Sequence, residues 1–257
     1  MSLLAYEKAD IVTCLYDRAK ALQIELGCPE EKIRVTPNGI KADTFEGIPG
    51  KSEEEETYIN AGAVLRVTPI KDVKTMIQAF AFAKKSVPKL KLWIMGPTDE
   101  DETYAQECFD LVKALGVEDV EFTGRVNVKD YLGKMDFTLL TSISEGQPLT
   151  ILESYAAHKP VIATDVGNCR ELIYGNDDGF GFAGILTHIM NIEEIAQAMI
   201  TMAEDQEERE RMGEAGYKRV NAFYRIEQMK DVYREIYKEL SDRQKLTWTE
   251  EPFELRR

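Results

Sequence analysis

The sequence is poor in the residues that carry metal and acid–base chemistry near neutral pH, with 2 histidines and 4 cysteines among 257 residues. His158 stands near an expected helix end before Lys159-Pro160, and His188 falls in a late polar stretch; neither has the partner spacing of a catalytic dyad. Cys14, Cys28, Cys108 and Cys169 are scattered with no C-x-x-C pair, so neither a zinc site nor a disulfide framework is expected, and reduced, mostly buried thiols are. Positive charge is also short: 32 Lys and Arg against 46 Asp and Glu leave a net charge of −14. A surface of that sign repels a phosphate backbone, which argues against nucleic acid as a partner. No apolar run approaches the ~20 residues of a bilayer span, and the N-terminus lacks the charged-then-apolar pattern of a secretory signal. The expectation is a cytoplasmic protein without a resident metal or cofactor.

What the chain does have is a regular alternation. Apolar runs bounded by turn residues predict strands at 11–13, 33–35, 58–64, 90–95, 120–123, 137–140, 161–163 and 184–186. Segments with helical spacing predict helices at 16–26, 71–86, 103–115, 128–134, 148–158 and 169–174, and three more close the chain at 192–203, 207–220 and 225–240. Strands alternating with helices make an α/β fold, a Rossmann-like doubly wound parallel sheet. Residues 1–40 read as a separate β-α-β piece, 41–56 as a polar acidic linker whose run 53–56 is solvated loop, 57–224 as the regular domain, and 225–257 as a closing helix and a tail without period.

The stretch Ser144-Glu145-Gly146-Gln147-Pro148-Leu149-Thr150-Ile151-Leu152-Glu153 joins an apolar strand to a helix. Gly146 permits a sharp bend and Pro148 suits the first helical position. Such a turn aims backbone N–H groups and a positive dipole end into the crevice at a strand's carboxyl end, where open α/β sheets bind phosphorylated ligands. Glu145 lies at the mouth of that helix and Glu153 about two turns along it. A carboxylate before a helix also simply complements the dipole, and Glu153 also reads as a solvated residue; spacing leaves both readings open.

Arg66 and Lys71, just past a strand and at a helix entrance, can both reach a diphosphate, Arg66 as a fork and Lys71 as a point charge. They are equally readable as two surface cations. Gly96-Pro97 and Phe122-Thr123-Gly124-Arg125-Val126 end strands on the same side of the sheet. The acidic run 99–102 reads as favourable charge at a helix start, since four consecutive residues rarely converge on one ion. Gly167 supplies a turn, and Glu171 has a structural role.

Glu145-x7-Glu153, with Leu149, Leu152 and Ala156 behind it, resembles the E-x7-E signature of retaining GT-B glycosyltransferases of family 4, the glycosyl transferases group 1. Arg66-x4-Lys71 is similar to the cationic pair of that family, and Ala9-Asp10-Ile11-Val12 with Pro37-Asn38-Gly39-Ile40 resembles the close of its N-terminal acceptor domain and the hinge that follows. The resemblance implies the C-terminal, donor-binding half of a GT-B fold with an orphaned β-α-β piece of the acceptor domain, the bulk of that domain being absent. It implies a metal-independent hexosyltransferase in which Glu145, Arg66 and Lys71 serve the chemistry. Arg66, Lys71, Arg125, Val126, Glu145, Gly146, Gln147, Leu149, Thr150 and Glu153 bind a nucleotide diphosphate sugar, most simply a UDP-sugar. In that scheme Glu145 and adjacent N–H groups hold sugar hydroxyls, Glu153 the ribose, and backbone near Arg125 and Val126 the base. The segments 66–72, 96–101, 104–108 and 142–145 together look like the PelF-type branch of exopolysaccharide synthesis, which implies a glycan acceptor and polysaccharide-export proteins as partners. Gln147-Pro148, where many relatives have Phe-Gly, removes one N–H near the phosphates. A non-catalytic nucleotide-sugar-binding module and a GT-B epimerase remain alternatives. Residues 5–40, deprived of the rest of their sheet, are expected to self-associate or to pack on the helix at 225–240.

Overall fold

The computed structural model describes residues 2–53 and 55–244. Glu54 of the acidic run and the tail beyond residue 244 lie outside the described residues. In chain order the elements are α1 (Ser2–Lys8), β1 (Val12–Cys14), α2 (Asp17–Glu25), β2 (Ile33–Val35), β3 (Ile59–Val64), α3 (Val73–Ser86), β4 (Leu90–Met95), α4 (Glu102–Leu115), β5 (Val120–Gly124), α5 (Lys129–Leu132), β6 (Phe137–Leu140), α6 (Leu149–Ala156), β7 (Val161–Thr164), α7 (Cys169–Tyr174), β8 (Gly184–Thr187), α8 (Ile192–Glu204), α9 (Gln206–Phe223) and α10 (Ile226–Gln244).

The chain forms two units. One takes the described residues of Met1–Asn38 and Ile226–Arg257. In it β1 pairs in parallel with β2, Val12 opposite Ile33, over a small core of Cys14, Cys28 and Ile33. Arg34 Nη2 donates to both carboxylate oxygens of Glu239 of α10, at 2.9 and 3.1 Å. This contact ties β2 to α10, as the second of the two expected arrangements requires. α2 buries none of its residues, and Leu22, Ile24 and Leu26 stay exposed.

The second unit, Gly39–Arg225, is an α/β sandwich around six parallel strands in the order β5-β4-β3-β6-β7-β8. β6 and β7 are buried at every position, as strands covered on both faces must be. One face of the sheet packs against Met76, Phe80, Ile195 and Met199. The other packs against Leu152, Tyr155, Leu172 and Val220. Each such side chain contributes about 1.5–3 kcal/mol by leaving water. This is the Rossmann-like doubly wound sheet expected from the alternation.

Four local details differ from the sequence reading. Pro148 is not the first helical residue but the N-cap of α6, with extended backbone (φ −72°, ψ 120°). α6 ends at Ala156 because Pro160 follows shortly and His158 takes a left-handed conformation, φ 57°. The helix expected at 128–134 shrinks to the single turn of α5, stopped at Gly133. Within the acidic linker a 3₁₀ turn, Ala42–Phe45, buries Ala42 and Phe45 in the core beneath α6.

Candidate functional site

The strand order reverses between β3 and β6: the chain leaves β3 towards β4 on one side, and β6 returns to pair on the other. At such a switch point the loops after the two strands diverge and leave a crevice at their carboxyl ends. The loop after β3 carries Arg66 and Lys71, and the loop after β6 carries Glu145. Ladder hydrogen bonds continue past the strand ends, from Leu65 N–H to Met95 O at 3.0 Å, Val67 N–H to Pro97 O at 2.9 Å, and Gly96 N–H to Gly124 O at 3.0 Å. A Cβ on Gly96, whose φ is 149°, would lie 1.9 Å from Leu65 O, so only glycine allows these loops to approach. They floor a cleft of about 420 Å³ whose lining includes Arg66, Lys71, Pro97, Arg125, Val126 and Thr150.

Lys71 ends a 3₁₀ turn, Pro69–Lys71, and is followed by Asp72 in the left-handed region at φ 48°. That conformation is costly for a residue with a Cβ and marks a loop whose shape is fixed by its surroundings. Ile143 N–H donates to Ile70 O at 2.9 Å, and the Thr141 hydroxyl lies 2.9 and 3.2 Å from the carbonyls of Lys71 and Asp72. The two loops are thereby tied together, and Lys71 Nζ meets Glu145 Oε1 at 2.5 Å. Only 16 % and 12 % of these side chains remain exposed. From the other side Asn168 N–H donates to Gly146 O at 2.8 Å. A Cβ on Gly167 would fall 2.3 Å from Gly146 O, so this support also depends on a glycine.

α6 starts beside this pair with its first N–H groups unpaired within the helix, the arrangement that receives anions. Gly146 and Leu149 are exposed at its approach and Gln147 is buried. Glu153 lies along α6, half-buried, and no hydrogen bond is made to its carboxylate among the described residues. Burial pushes its pKa up, while the Lys129 ammonium pulls the other way. A half-buried carboxylate with open lone pairs is suited to accept hydroxyl donors.

Arg66 and Arg125 show a feature that the sequence reading did not find. Arg66 Nη1 bonds Glu100 Oε2 at 2.9 Å. Arg125 Nη2 lies 3.3 Å from Asp99 Oδ1 and 4.0 Å from Glu100 Oε1. Of the acidic run only Asp101 and Glu102 serve the start of α4, Asp101 by accepting from Tyr104 N–H at 2.9 Å. The structure thus brings Arg66, Lys71, Arg125, Val126 and Thr150 onto one cleft, with Glu145 joined to it through Lys71.

A second cleft of about 420 Å³, lined by Phe82, Lys85, Leu115 and Val117, lies where α3 and α4 end, before the strands that follow them. It is at the amino edge of the sheet, away from the switch point. The histidines take structural places: His158 stacks on Tyr217 at 3.8 Å, and His188 Nδ1 lies 2.9 Å from the Glu194 carboxylate. Glu171 lies on α7 and the four cysteines are free and buried. Among the described residues there is no group of three or more His, Cys, Asp or Glu placed to hold a metal ion, and no helix is long and apolar enough to cross a membrane.

The family model described as glycosyl transferases group 1 matches residues 44–219. Among curated proteins, N-acetyl-alpha-D-glucosaminyl L-malate synthase of Bacillus anthracis is 30 % identical over 241 residues, covering 90 % of this chain and 60 % of the relative. D-inositol 3-phosphate glycosyltransferase of Kribbella flavida is 24 % identical over 221 residues, 80 % of this chain and 51 % of the relative. The chain therefore spans between half and two thirds of the length of these relatives. Among solved structures, Anabaena HepE in complex with UDP superposes with a TM-score of 0.78 at 21 % identity, covering 94 % of this chain and 66 % of that one. Sucrose-phosphate synthase from Thermosynechococcus elongatus does so with a TM-score of 0.78 at 18 % identity, covering 93 % and 60 %. These likenesses show the fold, that of GT-B glycosyltransferases.

Proposed function

Because the chain belongs to the glycosyl transferases group 1 family, we propose that its cleft is the donor site of a retaining GT-B hexosyltransferase. The enzyme would pass a sugar from a UDP-sugar to a glycan acceptor in exopolysaccharide synthesis. The observation that carries this reading is the meeting of Arg66, Lys71 and the α6 N-terminus on one cleft at the switch point of the sheet, with Glu145 joined to it through Lys71. The UDP assignment is supported by Anabaena HepE, solved with UDP and with UDP-glucose. The acceptor assignment is supported by relatives such as an amylovoran biosynthesis glycosyltransferase of Erwinia amylovora, 28 % identical over 168 residues, and follows the PelF-like segments.

In this reading the diphosphate lies between Arg66 and Lys71 with its β-phosphate at the α6 N–H groups. The bond from the anomeric carbon to the β-phosphate oxygen breaks, its electron pair leaves with that oxygen, and the growing charge is met by the two cations and the helix end. No metal is required for that step. The acceptor hydroxyl attacks from the face the phosphate leaves, and its proton passes to the departing phosphate oxygen, so the anomeric configuration is retained. Glu145, turned from Lys71 once the phosphate binds, accepts from sugar hydroxyls, and Glu153 accepts from the ribose. Transfer also needs water to be excluded from the reacting centre. An epimerase would need an acid–base pair at the sugar, and neither histidine faces the cleft.

Calorimetric titration with UDP-, ADP- and GDP-glucose, alongside a transfer assay with radiolabelled UDP-sugar, tests the reading. Binding of UDP-glucose in preference to the other two is expected. Failure of every nucleotide sugar to bind, or appearance of an epimerised nucleotide sugar, refutes it.

A further inference from the structure

The cations of the cleft are each paired with a carboxylate. Lys71 is held by Glu145, Arg66 by Glu100, and Arg125 by Asp99 with Glu100 Oε1 4.0 Å away. Glu145 has a further task at the sugar, but Asp99 and Glu100 have none in the reading above. Their backbone is also unable to withdraw far. Their loop is pinned on one side by the Val67 to Pro97 and Gly96 to Gly124 backbone hydrogen bonds, and on the other by Asp101 capping α4. When a diphosphate takes Arg66, the Glu100 carboxylate therefore stays near the rim, as a negative charge beside the ligand.

We propose that Glu100, supported by Asp99, is a specificity-determining residue that makes the cleft discriminate against the free nucleoside diphosphate product in favour of the nucleotide-sugar donor. The inference rests on the donor-site reading given above. In a nucleotide sugar both phosphates are esterified on either side and carry one charge each. Once the sugar has left, the terminal phosphate is a monoester-like group whose second ionisation lies near 6, and it gains about 0.5–1 further charge at pH 7. A carboxylate near the rim repels the product more than the donor by that difference. Three unopposed cations would do the reverse and hold the product of each turnover tightest. Removal of the rim charge should therefore strengthen binding of both ligands but that of the product more.

Calorimetry with UDP and with UDP-glucose on the full chain, at one ionic strength, measures this for the wild type, Glu100→Gln and Asp99→Asn. Glu107→Gln serves as the control for the change in net charge, because Glu107 pairs with Lys74 at an exposed site outside the cleft. The expected result is a gain in UDP affinity of about two- to five-fold for Glu100→Gln, the scale of a solvent-accessible ion pair, with a clearly smaller gain for UDP-glucose. Asp99→Asn should shift the ratio in the same direction by less, and Glu107→Gln should leave it unchanged. Equal gains for both ligands, no gain, or a loss overturns the proposal while leaving the donor site standing. A wild type that binds neither UDP nor UDP-glucose overturns the donor-site reading itself, and the inference falls with it.

Discussion

Lys71→Met separates two tasks of one ammonium group, its pairing with Glu145 and its proposed hold on the diphosphate. That group neutralises Glu145 at 2.5 Å, with 16 % and 12 % of the two side chains exposed. Deleting one partner of a deeply buried pair costs about 3–5 kcal/mol, because the other charge is left without compensation. The residual exposure here lets water reach the carboxylate and reduces the loss to about 1–3 kcal/mol. At about 2–4 °C per kcal/mol for a chain of this size, the melting temperature should fall by roughly 2–12 °C. Lys71→Met combined with Glu145→Gln removes the stranded charge and should recover most of that loss. The affinity for UDP behaves differently. Losing a charged donor to the diphosphate costs about 1.5–3 kcal/mol, or about 10- to 150-fold, in the single and double variants alike. Glu145→Gln alone releases Lys71 and should weaken UDP-glucose without weakening UDP. Thermal melts and calorimetry on the four proteins form a complete double-mutant cycle. A Lys71→Met protein with unchanged UDP affinity refutes the phosphate role, and a double variant as unstable as Lys71→Met refutes the stranded-charge argument.

Two further outcomes concern Glu153 and Gly167. Burial raises the Glu153 pKa above its ordinary 4.5 in the folded state, so the protonated form favours folding, and that contribution is lost as pH rises through the folded value. Glu153→Gln should therefore raise the melting temperature at pH 7, by progressively less as the pH is lowered towards 4.5, while weakening UDP and UDP-glucose together; a gain that grows on acidification refutes the desolvation account. Gly167→Ala forces a left-handed residue (φ 54°), at about 1–2 kcal/mol, and drives a Cβ to 2.3 Å from Gly146 O. It should lower both stability and UDP-glucose affinity, whereas Gly116→Ala, with φ 59° and nothing within 4 Å, should lower stability alone.

Much of the fold was legible because its signals are local. The short apolar runs at 137–140 and 161–163 read as strands, and β6 and β7 are strands buried at every position. The spacing of Glu153 from Glu145 put one carboxylate at the mouth of a helix and one along it, which is where both lie. Pro148 was placed one residue too far inside that helix, because a proline serves equally well just before a helix and in its first turn; backbone ψ decides, and composition does not report it.

The acidic run at 99–102 shows where local reading stops. Four consecutive carboxylates before a helix have one local explanation, the dipole, and it holds for Asp101 and Glu102. Glu100 and Asp99 instead answer to arginines 34 and 26 residues away, brought beside them only because β4 pairs with β3 on one edge and β5 on the other. The same dependence governs Lys71 and Glu145, which are 74 residues apart and meet because β6 pairs with β3 instead of extending the sheet beyond β5. Neighbouring residues do not encode that strand order; it is imposed by which helix faces can be buried together. The chemistry of the cleft is therefore written in the motifs, but its resting charge state is written in the topology. The Arg66, Lys71 and Arg125 cations that the motifs supply are each delivered by the fold onto a carboxylate.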